Sequence, residues 1–375
     1  MALPDASIGA RDENGELVDW WLIAKVPKLE GAEKFTGYEY CYFDAALNAL
    51  IDPVAGAFQR SPHLLNSEVG AWNETIGRVF GIYGHNMADS QGYIVWNDEY
   101  PASSKKTDDG NLGHTKGILA FDLATETALY IMHSWPKTPD LGTRNAATPD
   151  YGQIAFCVSL SIDTARQIAT MLLKHQEPQV IYWRLPQNPT ASAEGVQDAF
   201  TALVTTKIGH DDASSEVVDL ITAGGMPFKL MAKNRKWNKD IWCELIEPSI
   251  GQSVNTETWI RGPIAPVLSA DGSYRSFDVK LVNMGPLGIH IQFPETCDHS
   301  KQGVALAGDW VIISDENRML SQKNRGGGAI AFQNRRIWES LSRADVVTAP
   351  PNGTHSAARA TLKATHHKFS ASADK

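Results

Sequence analysis

The 375-residue chain has few cysteines, no long apolar run and no excess of basic residues. Its four cysteines lie far apart and form no Cys-x-x-Cys pair, which argues against a zinc site or a disulfide framework and predicts free thiols. No apolar run approaches membrane-spanning length. The net charge of −9 excludes a general nucleic-acid coating protein, so any contact with nucleic acid requires a local basic cleft.

The first twenty residues contain neither a basic n-region nor an apolar h-region, so no signal peptide is visible. The default expectation is therefore a cytoplasmic protein that does not interact with membranes. With 43% hydrophobic residues the chain can bury a full core, and its length allows two or three domains.

A His-x-Lys triplet occurs twice in a similar context. Gly113-His114-Thr115-Lys116-Gly117 leads into an apolar strand, a polar turn and a second strand that ends at His133. Asp298-His299-Ser300-Lys301 is followed in the same way by a hairpin whose second strand ends at Ser314. In an extended strand the His and the Lys lie on one face, about 6 to 7 Å apart. Two such β-hairpins predict an internally duplicated site.

The hairpin context separates these triplets from chance matches. A chain of this composition is expected to contain about half a His-x-Lys match by chance. A third match, His366-His367-Lys368, lies in a polar tail without a following apolar strand, and we interpret it as solvated chain.

Two His and two Lys side chains suit the cleavage of a phosphodiester. One neutral imidazole can attack phosphorus while the other, protonated, donates to the leaving oxygen. The two ammonium groups neutralise the charge that accumulates on the non-bridging oxygens, a role that other enzymes give to Mg²⁺. The chemistry therefore predicts no cofactor and no metal.

These segments resemble the deoxyribonuclease II family. The first-half segments are His114-Thr115-Lys116, His133-Ser134-Trp135-Pro136 and Tyr151-Gly152-Gln153, and the second-half segments are His299-Ser300-Lys301, Asp315-Glu316-Asn317-Arg318 and Arg325-Gly326-Gly327-Gly328. Upstream matches include Lys25-Val26-Pro27 and Asn97-Asp98-Glu99, so the resemblance covers most of the chain. Animal members are secretory, lysosomal and disulfide-bonded, whereas this chain has no cysteine near its start to pair with Cys157.

The resemblance implies a mixed α/β, pseudo-twofold, two-lobe fold of the phospholipase D-like superfamily. The predicted lobes are residues 1–177 and 178–350, followed by a disordered tail at 351–375. The implied activity is a metal-independent, acid-type cleavage of DNA through a phosphohistidine that leaves 3′-phosphate and 5′-hydroxyl ends. The candidate catalytic residues are His114, Lys116, His299 and Lys301, supported by His133 and Asn317.

Five further residues are candidate DNA contacts. The segment 228–239 is basic and interleaves aromatic residues, which suits phosphate contact and base stacking. The glycines after Arg325 allow the backbone to approach a ligand closely. The candidates are Ser134, Arg325, Lys233, Lys236 and Trp237.

Two other functions remain open from the sequence. A lipid phosphodiesterase would use the same four catalytic residues, and a binding-only relative would need the cations but not the paired imidazoles. DNA is the predicted partner, a homodimer is left open, and no protein partner is predicted.

The pattern of apolar residues also predicts individual elements. Strands are expected at 19–27, 38–43, 76–83 and 92–96, and a strand at 180–183 is expected to open the second lobe. Helices are expected at 161–175, with Ser161 or Asp163 as N-cap, and at 193–205.

Overall fold

The computed structural model describes residues 7–30, 34–50, 57–79, 87–137, 150–186, 198–209 and 212–347. The predicted tail lies outside these residues. Two large sheets dominate the fold, as the mixed α/β prediction requires. The strands are β1 Trp20–Lys25, β2 Tyr40–Asp44, β3 Gln59–Arg60, β4 Gln91–Trp96, β5 Gly117–Asp122, β6 Thr127–His133, β7 Gln153–Ser161, β8 Val180–Arg184, β9 Ser215–Ile221, β10 Pro227–Lys233, β11 Val254–Thr258, β12 Ser276–Asn283, β13 Gln292–Pro294, β14 Lys301–Ala305, β15 Trp310–Ser314, β16 Gly327–Gln333 and β17 Asp345–Val347.

The helices cover the faces and ends of the sheets. They are α1 Ala45–Ala49, α2 Ala71–Val79, α3 Ile162–Met171 with a π-helical turn Leu172–Gln176, α4 Ala199–Thr205, a π-helical turn Trp242–Ile246 that continues into α5 Glu247–Ile250, and α6 Arg335–Ala344. Short 3₁₀ turns occupy Arg235–Trp237, Gly285–Leu287, Glu295–Cys297 and Leu320–Asn324.

The strand order shows the internal duplication. The first sheet runs β3-β2-β1-β7-β6-β5-β4-β8, and the second, read from its other edge, runs β9-β10-β16-β15-β14-β11-β12-β13. The three-stranded unit β5-β6-β7 therefore corresponds to β14-β15-β16. Each unit continues into a helix, α3 or α6, that packs into the core between the sheets. The predicted pair of hairpins is confirmed.

One continuous core joins the two sheets. Along β6 the side chains of Ala128, Tyr130 and Met132 face this core, while Leu129 and Ile131 face a second cluster on the outer side. Because both faces are covered, the strands are almost entirely apolar instead of alternating. Across the core Phe156 stacks on Phe332 with ring centroids 4.6 Å apart, an arrangement that contributes about 0.5–1.5 kcal/mol beyond its buried area.

Most of the predicted elements are confirmed. Helix α3 begins after Ser161, which is its N-cap because its hydroxyl accepts a hydrogen bond from the N–H of Thr164. All four cysteines are free thiols. The strand predicted at 76–83 is wrong, since its described part belongs to helix α2. There Ala71, Trp72 and Thr75 are buried at helical spacing.

The predicted boundary between the lobes also changes. Val180–Arg184 pairs with β4 and is therefore an edge strand of the first sheet, not the start of the second. Glu177 caps the preceding π-helical turn and adopts a left-handed conformation with φ 54°. Helix α4 likewise packs on the first sheet, where Phe200 stacks on Phe121 at 3.8 Å.

The two sheets meet through reciprocal backbone contacts at the starts of equivalent strands. The N–H of His299 donates to Gly152 O (2.9 Å), and the N–H of His114 donates to Gly326 O (2.8 Å). A Cβ added at Gly326 would lie 2.4 Å from the carbonyl oxygen of Gln176. Only glycine therefore permits this close approach.

We predict that Gly326→Ala destabilises the protein by about 1–3 kcal/mol or more, because the added methyl group meets backbone that cannot move aside. Urea denaturation measures the effect. Gly110→Ala is the matched control, since a Cβ at Gly110 has no atom within 4 Å. Equal stability of the two variants would contradict the close approach.

Candidate active site

The two His-x-Lys triplets lie where their strands begin. Strand β5 starts at Gly117 and β14 at Lys301, so each His precedes the regular strand instead of lying within it as predicted. We call His114 and Lys116 the first half-site and His299 and Lys301 the second half-site. The crossed backbone hydrogen bonds at the two histidines bring these half-sites to the junction of the sheets.

The ring of His114 is fixed by a backbone carbonyl. Its Nδ1 lies 2.5 Å from Asp315 O. A carbonyl oxygen can only accept, so Nδ1 carries the proton and the neutral ring has its lone pair on Nε2. Nε2 lies 3.4 Å from Asp98 Oδ2. The structure thus holds the tautomer that a nucleophilic Nε2 requires.

The ring of His299 has different surroundings. It stacks on Tyr151 with centroids 4.0 Å apart and planes at 12°, and Trp259 packs against it at 4.0 Å and 52°. Its buried Nε2 has no hydrogen-bond partner among the described residues.

The two lysines are both buried. Lys116 Nζ contacts Asp98 Oδ1 at 2.6 Å, and Lys301 Nζ donates to His299 O at 2.5 Å. Burial, assisted by the charge of Lys116, lowers the pKa of Lys301 to about 7. Although burial opposes its ionisation, the charge of Lys116 and the hydrogen bond from Lys116 hold the pKa of Asp98 well below its usual range.

The two half-sites are electrostatically coupled. Burial and the charges of Lys301 and Lys116 lower the pKa of His299 to about 3. Burial and Lys116, with a further contribution from Lys301, place the pKa of His114 well below its ordinary value. Each imidazole therefore responds to the lysines of both halves, and both are neutral near pH 7 in the free protein.

His133 ends β6, and its N–H donates to Lys116 O (3.4 Å), whereas Asn317 lies three residues beyond the end of the equivalent strand β15. The N–H of Trp135 donates to His133 Nδ1 (3.2 Å), so the neutral ring carries its proton on Nε2. Burial and the charge of Lys116 lower the pKa of His133 to about 3. Asn317 is buried, and its Oδ1 lacks a hydrogen-bond partner among the described residues.

Two predicted DNA contacts do not face solvent. The hydroxyl of Ser134 donates to Gln153 Oε1 (2.5 Å) and accepts from the N–H of Ile154, so it organises the strand end. Lys233 is fully buried and donates to Gln322 O (3.0 Å) and to the carbonyl oxygen of Arg325. Lys233 was predicted to contact phosphate because it lies in a basic segment that interleaves aromatic residues, whereas its side chain is hydrogen-bonded to the backbone at Arg325.

The other three candidates remain partly or fully exposed. Arg325 donates from Nε to Leu112 O and from Nη2 to Gly113 O, each at 3.1 Å, while its Nη1 lies 4.0 Å from Asp98 Oδ2. Lys236 is exposed and Trp237 is half-buried on a 3₁₀ turn.

Three important residues were not assigned to the site from the sequence. Asp98 and Tyr151 lie in segments that carry the family resemblance, so that signal was available. Trp259 had no sequence signal, because it meets His299 only through the pairing of β11 with β14.

Within the described part of the chain, no helix combines the length and apolar character needed to cross a membrane. Among the same residues no group of three or more His, Cys, Asp or Glu side chains is arranged to hold a metal ion.

The chain is similar to known proteins over most of its length. The profile of the family described as Deoxyribonuclease II matches residues 10–349. The chain belongs to the deoxyribonuclease II family. A putative deoxyribonuclease-2 of Burkholderia pseudomallei (strain 1710b) is 40% identical over 363 residues, which cover 96% of this chain and 99% of that protein. Mouse deoxyribonuclease-2-alpha is 26% identical over 345 residues, covering 90% and 92%.

A solved structure, the yeast tyrosyl-DNA phosphodiesterase, is similar over 59% of this chain and 67% of that chain. Its sequence identity is 12% and its TM-score is 0.30, too low to support a conclusion.

The buried neutral histidines of this family member predict a pH dependence of stability. An unfolded histidine binds a proton near pH 6.5, whereas folded His133 does so only near pH 3, so stability falls as the pH is lowered through this window. His133→Asn keeps an acceptor for the Trp135 N–H but does not titrate. We predict that its free energy of unfolding falls less steeply from pH 6.5 to pH 4, by up to about 1.4 kcal/mol per pH unit.

Urea denaturation at several pH values measures this slope, and the exposed His290, changed to Asn, is the control. The same slope in His133→Asn and wild type would show that His133 does not resist protonation.

Proposed function

We propose that this protein is a metal-independent endodeoxyribonuclease that hydrolyses DNA phosphodiesters through a phosphohistidine. The observation that carries the proposal is the pair of His-x-Lys half-sites at one junction, with His114 Nδ1 hydrogen-bonded to the Asp315 carbonyl. The relatives described above are named deoxyribonuclease-2, which favours a nuclease over the lipid phosphodiesterase and the binding-only protein.

In the first step Nε2 of His114 attacks phosphorus. A P–N bond forms, the bond between phosphorus and O5′ breaks, and protonated His299 transfers its Nε2 proton to O5′. The phosphorylated imidazole becomes cationic, and its Nδ1–H continues to donate to Asp315 O. A backbone acceptor therefore stabilises the intermediate without moving.

In the second step a water molecule attacks phosphorus. Neutral His299 accepts the proton from water, the P–N bond breaks, and its electron pair returns to Nε2 of His114. The products are a 3′-phosphate and a 5′-hydroxyl end. Both histidines return to their starting states, so the cycle needs no further reactant.

The cations supply the charge that the transition state needs. The charges of Lys116, Lys301 and Arg325 all act on His114. They can therefore neutralise the charge that develops on the non-bridging oxygens of a phosphate bound to this imidazole. Lys116 and Lys301 are already desolvated by burial, so little reorganisation of these two groups is required when the phosphate enters. Because the bound phosphate raises the pKa of an adjacent imidazolium, DNA binding favours the protonated His299 that the free protein disfavours.

The mechanism predicts that chelation leaves activity largely intact. Cleavage of plasmid DNA in excess EDTA, followed on gels, should proceed at nearly the rate seen without chelator, because side chains supply the positive charge. Complete loss in EDTA with recovery in Mg²⁺ would contradict this mechanism.

The exposed segment around Lys236 predicts a salt effect. Lys236→Ala should reduce the slope of log affinity against log salt concentration by about one, because one phosphate contact is lost. Fluorescence anisotropy with a labelled duplex, using a catalytically inactive His114→Ala background, measures the slope. Lys34→Ala, another exposed lysine, is the control. An unchanged slope in Lys236→Ala would assign the segment to solvated surface.

A further inference from the structure

The register of the sheets identifies a pair of equivalent positions next to the two imidazoles. Gly117 and Gln302 each follow the lysine of their triplet. Asp98 lies two residues beyond the strand partner of Gly117, and Trp259 lies two residues beyond the strand partner of Gln302. Asp98 and Trp259 are therefore counterparts in the duplicated fold, yet one is a carboxylate and the other an indole.

A second pair of counterparts differs in the same way. Tyr151 precedes Gly152, which accepts from the N–H of His299, and Arg325 precedes Gly326, which accepts from the N–H of His114. A buried lysine at the end of an equivalent strand donates to each preceding carbonyl, from Lys25 to Tyr151 and from Lys233 to Arg325. The backbone is thus duplicated, while the side chains are aromatic on one side and charged on the other.

We propose that this difference separates the roles of the two histidines: Tyr151 and Trp259 are positioning residues of the acid His299, and Asp98 is a positioning residue of the nucleophile His114. The inference rests on the proposed function and adds the residues that make the two half-sites different.

The aromatic pair suits a group that must give up a proton. Tyr151 stacks on one face of the His299 ring, and Trp259 packs against the ring from another side, 6.0 Å from Tyr151. Their π systems attract the imidazolium without accepting its proton. The charges that act most strongly on His299 are those of the cations Lys301, Lys116, Arg261 and Lys25. No carboxylate contacts this imidazole among the described residues, so its Nε2 proton can pass to the leaving oxygen.

The charged pair suits a group that becomes cationic when it attacks. Asp98 contacts Lys116 and lies beside His114 Nε2, where phosphorus must approach. When phosphate binds, the Asp98 carboxylate moves away from His114 Nε2 but remains near Lys116. From there it stabilises the positive charge that His114 acquires on forming the P–N bond.

The test compares two substrates that differ in their need for an acid. DNA has a poor leaving group that must be protonated, whereas thymidine 3′-nitrophenyl phosphate releases a nitrophenolate without a proton. Trp259→Leu should lower kcat on DNA roughly tenfold to a hundredfold, since part of the acid catalysis is lost. On the nitrophenyl ester its kcat should change less than about threefold, because a leaving group that needs no proton gains little from an acid.

Three further variants make the pattern specific. Trp259→Phe should restore most of the DNA activity, because a ring again packs against His299. Asp98→Asn should slow both substrates by similar factors, since both require attack by His114. Trp183→Leu removes an exposed indole of β8 and should change neither rate.

Equal losses on both substrates for Trp259→Leu, or no loss on either, would overturn the proposed roles. If Trp259→Leu does not fold, Tyr151→Leu removes the other ring and carries the same test. Failure of the underlying mechanism has a different signature. In that case wild type cleaves neither substrate, or His299→Ala is as slow as His114→Ala on the nitrophenyl ester.

Discussion

The crossed pair of backbone hydrogen bonds, from His114 to Gly326 and from His299 to Gly152, is the constraint on which the site depends. Each bond joins the start of a strand in one sheet to the start of a strand in the other. These main-chain hydrogen bonds therefore fix the backbone positions of the two histidines independently of side-chain contacts. The glycines are required at these points because a methyl group at Gly326 would meet the backbone of Gln176.

This junction concentrates charge that would otherwise be solvated. Lys25, Lys116, Lys233 and Lys301 are all nearly inaccessible to solvent. Burying an ammonium is costly unless it is paired or hydrogen-bonded, and here carbonyl oxygens and the Asp98 carboxylate satisfy these groups. The arrangement keeps cations and neutral imidazoles in place without DNA, at the expense of stability in acid.

The same junction contains buried acids, and burial shifts their pKa values as well. Burial raises the pKa of Asp315 to about 6 and that of Glu316 to about 8. Their position directly after β15 is equivalent to that of Ser134 and Trp135 after β6. The second lobe thus provides titratable groups where the first provides a hydroxyl and an indole, which adds to the asymmetry between the half-sites.

Sequence patterns predicted the elements that carry a clear local signal. The two hairpins, the Ser161 cap and the repeated His-x-Lys spacing depend on neighbouring residues, so they could be read directly. Helix α2, the sheet membership of β8 and the burial of Lys233 depend on contacts between distant segments. The packing of Trp259 on His299 has the same origin, since it follows from strand register and not from any motif.

The most direct measurement of the central claim is acid-sensitive trapping of the phosphoenzyme. Wild-type protein would be mixed with a short oligonucleotide, quenched by rapid denaturation at alkaline pH and analysed by peptide mass spectrometry. We expect an acid-labile adduct carrying the 3′-phosphoryl fragment on Nε2 of His114, absent from His114→Ala and enriched in His299→Ala assayed with the nitrophenyl ester. An adduct on His299, or cleavage of DNA by His114→Ala at the wild-type rate, would contradict the assignment of His114 as nucleophile.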